Sequence, residues 1–215
     1  MTDIPINLVF EDVLSEAVLK QMLKQSQRPF SVGQCLNQRG YGKIKKIISG
    51  LNYAAKGMPY LVLTDLDNAE CPLVIISEWL TQPKHPNLLF RIAVKEVEAW
   101  LLAHRSAFAE FLGISVDLIP PGDADRIPDP KQLLINLAKK SKKRNLRDAI
   151  VPAPNSTAKI GKDYNRPLIE FVNESWQVAS AQTNSPSLER AMNALINFQP
   201  GKIEDKEKLC YHHLL

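Results

Sequence analysis

Apolar and polar positions change period several times along the chain, and each change marks an element. "INLVF", residues 6–10, is a short apolar run followed by carboxylates. In "LSEAVLKQMLKQ", Leu14, Val18 and Met22, with Leu19 and Leu23, recur at helical spacing. "FSVGQCLN", residues 30–37, alternates loosely and reads as a second strand. "GYGKIKKIISGLNYAAKG" returns to helical spacing through Ile44, Ile47, Ile48, Leu51 and Ala55, bracketed by Gly42 and Gly57. Residues 60–64, "YLVLT", form a third strand. "PLVIISEWL" opens on proline, as the first turn of a helix often does, though its β-branched run leaves a strand open. "NLLFRIAV", residues 87–94, is the fourth strand. "KEVEAWLLAHRSAFAEFLG" is predicted as one helix, with a stripe of Val97, Trp100, Leu101, Phe108, Phe111 and Leu112 closed by Gly113.

Short apolar strands alternating with helices predict an α/β fold: a mostly parallel four-stranded sheet with helices on both faces. After Gly113 the composition changes. "SVDLIPPGDADRIPDPKQ" is rich in Pro and Asp and reads as a long loop. "KQLLINLAKKSKKRNLRDAI" is predicted as a helix with a basic second half. Another loop leads to two helices, "LIEFVNESWQVA" and "SLERAMNALINF". The expected organisation is an α/β domain over residues 1–113, a helical extension over 114–198 and a tail over 199–215.

Composition narrows the class. The 215 residues are 45% hydrophobic and 23% charged, ordinary for a soluble globular protein, and the net charge of +4 permits an anionic partner without requiring one. Cys35, Cys71 and Cys210 are odd in number and far apart, which suits reduced thiols in a cytoplasm better than a disulfide framework or a zinc knuckle. No secretion signal opens the chain, and no apolar run approaches the ~20 residues that span a bilayer, so no membrane partner is expected.

The chemistry gathers where strands end. In open α/β sheets ligands bind outside the carboxyl ends of the strands. Glu11 and Asp12 follow the first strand, Asp65 and Asp67 end the third, Glu96 and Glu98 follow the fourth, and Glu16 lies one turn into the first helix. Two unit charges ~5 Å apart repel by roughly 3 kcal/mol at an effective dielectric of ~20, so such a cluster needs a cation or must share protons. All-oxygen ligands point to Mg²⁺, with Mn²⁺ as a substitute. Glu96 and Glu98, two apart on a helix, should point to opposite flanks of its apolar stripe. A D-x-D alone is weak, because a polar loop capping the next helix looks the same.

Together "LVFEDVLSE", "YLVLTDLDN" and "FRIAVKEVEAWLLAHRSAFAEFLG" resemble the bacterial Toprim-like proteins of unknown function that carry an E-x-E-A-W-L helix. These are distant relatives of the overcoming-lysogenization-defect nucleases, topoisomerases and primases. The resemblance runs from about Asn7 to Gly113, with weaker echoes in "KIGKDYN" and "SPSLERAMNAL". It implies a Mg²⁺-dependent nuclease or related phosphoryl-transfer enzyme in phage or plasmid defence, and it leaves open a partner ATPase. Glu11 matches the first-strand glutamate, Asp65 and Asp67 the D-x-D pair, and Glu98, with Glu96, the acidic part of the E-A-W helix. The implied metal ligands are Glu11, Asp65, Asp67 and Glu98. Glu98 or Glu96 is the expected general base, and Lys95 the group that stabilises developing charge. Asp12 departs from the glycine usual after the first-strand glutamate, which either hinders close phosphate approach or adds a ligand. That departure motivates the alternative of a non-catalytic module that binds nucleic acid or a partner protein. A small-molecule phosphatase is a third reading, weakened because its D-x-D normally follows the first strand.

Lys139, Lys140, Lys142, Lys143, Arg144 and Arg147 form a dense basic run. It reads as a contact for a phosphate backbone, or as a solvated helix end whose cations oppose the macrodipole. Lys159 and Lys162 could clamp a phosphoryl group more closely, and Gly40 to Lys43 could cradle one, although a plain turn is the simpler reading. His104 continues the apolar stripe and reads as a packed residue. His212 and His213, near Cys210, lack a fourth zinc ligand of obvious spacing. Trp79, Trp100 and Trp176 read as core or interface anchors.

Overall fold

The structure, a computed structural model, describes residues 3–38, 40–67 and 69–201. Four strands, β1 (Ile4–Phe10), β2 (Phe30–Asn37), β3 (Tyr60–Asp65) and β4 (Leu88–Ala93), form one sheet in the order β2-β1-β3-β4. Every pairing is parallel, with Ile4 opposite Phe30, Asn7 opposite Tyr60 and Tyr60 opposite Leu88. This is the expected α/β architecture. The strand order adds what the pattern of elements does not contain. From β1 the chain first steps outward to β2, then crosses to the other side of β1 for β3 and β4. The crevice between the carboxyl ends of β1 and β3 is therefore the topological switch point, where open α/β sheets bind ligands.

Side-chain alternation along the strands divides the interior in two. Leu61 and Leu63 of β3 face one layer, together with Ile6, Leu8 and Phe10 of β1. Val62, between them, faces the other with Val9, Phe90 and Ile92. That second layer is covered by α2 (Tyr41–Ala54) and α3 (Pro72–Trp79) through Ile44, Ile48, Ile75 and Trp79. The first layer is covered by α1 (Val13–Gln25), α4 (Val97–Ala103), α5 (Arg105–Leu112) and the helices that follow. β1 and β2 slip register between Ile6 and Leu8, where the buried Asn7 turns its Oδ1 onto the Gln34 amide at 2.8 Å. Gly33 makes room for it, since a Cβ there would meet Asn7 Oδ1 at 2.5 Å.

The later helices are α6 (Pro130–Lys139), α7 (Arg144–Ile150), α8 (Asn165–Glu174), α9 (Val178–Ala181) and α10 (Pro186–Ile196). They share the first layer's core through Leu134, Ile150, Phe171 and Leu188. Polar ties hold them there. Trp176 Nε1 donates to the Trp100 carbonyl at 3.0 Å. The Gln25 side chain bonds both Trp176 O and Val178 N, and Arg28 donates to the carbonyls of Ile196 and Phe198.

Three helices expected to run unbroken are broken, one of them, "LIEFVNESWQVA", at residues 175–177 between α8 and α9. "KEVEAWLLAHRSAFAEFLG" divides at His104, whose ψ of 63° leaves the helical region while its Nδ1 accepts a hydrogen bond from the Gln177 amide. "KQLLINLAKKSKKRNLRDAI" divides at residues 140–143, where the buried Ser141 hydroxyl donates to the Leu112 carbonyl and anchors the turn to the end of α5. The Pro- and Asp-rich stretch after Gly113 contains short 3-10 turns at Val116–Leu118 and Ala124–Arg126. No helix among the described residues is long and apolar enough to cross a membrane. Cys35 and Cys71 are free thiols. Cys210, His212 and His213 lie outside the described residues.

Candidate functional site at the carboxyl edge of the sheet

Glu11 leaves β1 at the switch point. Its Oε1 accepts from the Thr64 hydroxyl and from the Asp65 amide, the latter at 3.1 Å. The carboxylates that follow β1 and β3 are thus tied across neighbouring strands. Asp65 Oδ1 in turn accepts from the Val97 amide at 3.0 Å, so Asp65 anchors the start of α4. One short chain of bonds joins the ends of β1, β3 and β4.

Beyond β3 the backbone bends sharply. Asp67 has φ 47° and Lys95, beyond β4, has φ 65°, and the Asp67 amide donates to the Lys95 carbonyl at 3.0 Å. Left-handed backbone at two non-glycine residues costs on the order of 1 kcal/mol apiece, and such conformations cluster at functional sites. The bends leave Asp67 exposed and put it with Lys95, Glu96, Asp129, Pro130 and Lys159 around a cleft of about 370 Å³. A second cleft, of about 400 Å³, lies against Glu11, Asp12, Asn37 and Gly40.

Glu98 is 2% exposed. Its Oε1 accepts from the Tyr164 hydroxyl at 2.9 Å and lies 3.5 Å from Lys131 Nζ, while its Oε2 is buried with no hydrogen-bond partner. Glu96 does not lie on the opposite flank of a helix. The helix starts at Val97, so Glu96 is its N-cap residue in extended backbone and engages the same lysine. Glu96 Oε1 is 3.0 Å from Lys131 Nζ, and its Oε2 accepts from the Lys131 amide at 3.1 Å.

The electrostatics follow from burial without enough positive charge. Burial, and then the charges of Glu98 and Glu11, push Asp65 well above the ordinary carboxylate range. Glu98 is raised to about 7, first by burial, with Lys131 opposing and Glu96 adding to the rise. Glu11 is raised by burial, although Thr64 and the Asp65 amide hold it down in part. Asp67 is raised by partial desolvation in its cleft and by Glu96, with Lys131 opposing. Burial works against the charge of Lys131, yet Glu98 and Glu96 hold its pKa above the usual lysine range. Tyr164, raised by burial and by Glu98, stays a neutral donor.

Among the described residues no three carboxylate, imidazole or thiolate groups meet around one point that would hold a metal ion. Glu11 and Asp65 come together; Asp67 looks into the cleft with Glu96; Glu98 sits behind with Tyr164. Still, the donors are oxygens alone, several are held toward their protonated form, and one buried oxygen of Glu98 has no partner. Those features fit a hard cation.

Two participants escaped the sequence pattern, Thr64 and Lys131, and Tyr164 enters it only within the "KIGKDYN" echo, without a role. Lys131 did leave a trace. It occupies the first turn of α6, behind the Asp129 cap, where the helix dipole disfavours a cation. Such a lysine signals carboxylates from elsewhere. Tyr164 sits where it does because Gly161 lets the chain run against the end of α7, its amide donating to the Ile150 carbonyl at 2.9 Å. A Cβ at Gly161 would collide with the Ala149 carbonyl.

Other expected residues are accounted for differently. Asp12 caps α1, its Oδ1 accepting from the Ser15 amide at 2.8 Å, and its φ of −146° asks for no glycine. Glu16 pairs with Lys20 on the surface of α1. His104 is buried, as expected, and so are Trp79, Trp100 and Trp176. In the basic run, Lys143 Nζ donates to the Glu110 and Phe111 carbonyls and closes α5, Arg147 donates to Ser141 O, Arg144 pairs with Asp148, and Lys139 donates to Asn136. Lys140 and Lys142 are exposed, as is Lys162. The acidic site and the basic turn lie at opposite ends of α6, whose ten residues span ~15 Å.

No family model matches the chain, and no curated protein matches it. Among solved structures the chain is similar to the C-terminal region of the Burkholderia pseudomallei OLD protein, at 13% identity, covering 89% of this chain and 97% of that one, with a TM-score of 0.42.

Proposed function

We propose that the protein is a Mg²⁺-dependent nuclease that hydrolyses phosphodiester bonds in nucleic acid. The observation that carries the reading is the join at the switch point: Glu11 bonded to the Thr64 hydroxyl and the Asp65 amide, with the buried, half-partnered Glu98 close enough to raise Asp65 further. Glu11 and Asp65, which the fold brings together, would hold the cation, with Mn²⁺ as a substitute; Asp67, in its own cleft, and Glu98, behind with Tyr164, stand outside that pair. When bound, Mg²⁺ would polarise the phosphodiester and lower the pKa of a water. The chain's own residues do the rest. Lys95 and Lys159 line the cleft beside Asp67 and meet phosphoryl oxygens there. Glu98, held near neutrality, keeps or releases a proton at Oε2. The exposed Lys140 and Lys142, at the far end of α6, attract backbone phosphates. A part in phage or plasmid defence, and a partner ATPase, belong to the same reading through the motif resemblance.

Cleavage of single- and double-stranded DNA and of RNA, with Mg²⁺, Mn²⁺ or a chelator, tests it. Asp65→Asn keeps an oxygen for the Val97 amide and should fold, yet lose activity by ~100-fold or more. Cleavage that survives chelation, or is undiminished in Asp65→Asn, overturns the reading.

A second reading rests on Lys131. A lysine that already neutralises Glu96 and Glu98 suits a module that binds nucleic acid or a partner protein without cutting. Binding to nucleic acid that weakens steeply with salt, with no turnover under any divalent cation, would select it. Release of phosphate from p-nitrophenyl phosphate would instead revive the phosphatase reading.

A further inference from the structure

At the free edge of β4 a cleft of about 420 Å³ opens between α3 and α10, sharing no lining residue with the two clefts at the carboxylate site. Two guanidinium groups reach it, Arg91 from the strand and Arg190 from α10. No acidic residue is among those lining it. Asp125, which reaches Ser187 on the same helix as Arg190, has both oxygens engaged by Ser185 and Ser187. Among the described residues neither guanidinium has a hydrogen bond or an ion pair, and Arg91 Nε is buried with no partner. A buried guanidinium donor left unpaired is costly, and an arginine beside it makes the arrangement worse. Burial and the Arg190 charge both weaken the hold of Arg91 on its proton. Two guanidinium groups thus face one cleft at the edge of the sheet.

We infer that this cleft binds a phosphate monoester on a compact organic body, the two arginines taking the phosphate and the apolar wall taking the body. The charges match, since a monoester dianion answers two guanidinium groups, whereas an internal phosphodiester brings only one charge. Arginine's planar fork pairs with phosphate oxygens in two places at once. Leu73, Ile76, Phe90 and Ile92 form the wall, and the volume suits a small ligand. The first turn of α3, which has no side-chain cap, borders the same space and favours negative charge. The inference stands apart from the nuclease reading, because none of these residues belongs to the carboxylate site.

Such a monoester comes from a free nucleotide or from the 5′ end of a strand. Thermal unfolding of the full chain in a chelator separates them, with deoxyadenosine monophosphate in one arm and a 5′-phosphorylated tetra-deoxyadenylate in the other. Deoxyadenosine and the 5′-hydroxyl tetranucleotide are the controls. At about a hundredfold excess over Kd a phosphorylated ligand should raise Tm by ~5 °C or more, and the arm with the larger rise names the source. Arg190→Gln, at an exposed position, should fold normally and lose the rise. Arg91→Met should also lose it, while raising the ligand-free Tm by ~2 °C because an unpaired cation is gone. No rise in either arm, an equal rise from the unphosphorylated controls, or a rise preserved in Arg190→Gln overturns the inference.

Discussion

Lys131 Nζ stands 3.0 Å from Glu96 Oε1 and 3.5 Å from Glu98 Oε1, a single cation between two carboxylates that bracket the start of α4. Removing it as Lys131→Met should destabilise the fold by ~2 kcal/mol at pH 8, less than for a fully buried pair because the lysine is partly exposed. At pH 5.5, where Glu98 takes up a proton, the loss should shrink. Urea unfolding at the two pH values checks this, and an equal loss at both would deny Lys131 the role of counter-ion.

Glu98 gives the fold a pH dependence of definite sign. Its pKa rises from 4.5 to about 7 on folding, so the folded state binds more protons between those values. Stability present below pH 4.5 is therefore lost as pH rises through 7, by ~3 kcal/mol. Glu98→Gln can still accept from Tyr164 and should reduce that slope, leaving the part of the same sign that comes from Asp65 and Glu11. Denaturant midpoints from pH 4.5 to 8 give the comparison.

Divalent cations should reverse part of that trend. Ligands must be deprotonated to bind a metal, so Mg²⁺ or Mn²⁺ should raise Tm more at pH 8 than at pH 5.5. Asp65→Asn should abolish the difference. Calorimetric scans with and without the ion supply the test.

Within the basic run, Lys143 and Lys142 should separate stability from binding. Lys143 closes α5 through two carbonyls, so Lys143→Ala should cost ~1 kcal/mol. Lys142→Ala should leave stability alone and reduce the salt dependence of nucleic-acid binding by about one counterion. Paired melts and salt-titrated binding isotherms distinguish the two.

Gly161→Ala should cost ~2 kcal/mol or more, because the new methyl meets backbone and not a flexible side chain. The displacement passes to Tyr164 three residues on. The variant should therefore raise the pKa of Glu98 as well, which a side-chain carboxyl NMR titration reads directly.

The first, third and fourth strands and the acidic residues beyond them were legible because each is a local signal, an apolar run of five to eight residues with aspartate or glutamate at or just past its end; the second strand shows only a loose alternation. What stayed hidden depends on neighbours distant in sequence. The break at His104 is held by the Gln177 amide, 73 positions away. Lys131 is meaningful only beside Glu96, 35 positions earlier. The helical reading placed Glu96 and Glu98 on opposite flanks, yet an N-cap residue in extended backbone does not obey helical geometry. Strand order, which makes the β1–β3 crevice the switch point, leaves no imprint on any single segment.

The length of α6 has a consequence for substrate size. With an acid-binding lysine at one end and exposed lysines past the other, the helix is a ruler of ~15 Å. In a duplex each strand advances ~3.4 Å per nucleotide along the axis, so a duplex shorter than about five base pairs cannot touch both ends together. Duplex affinity should climb abruptly at that length and only gently beyond it.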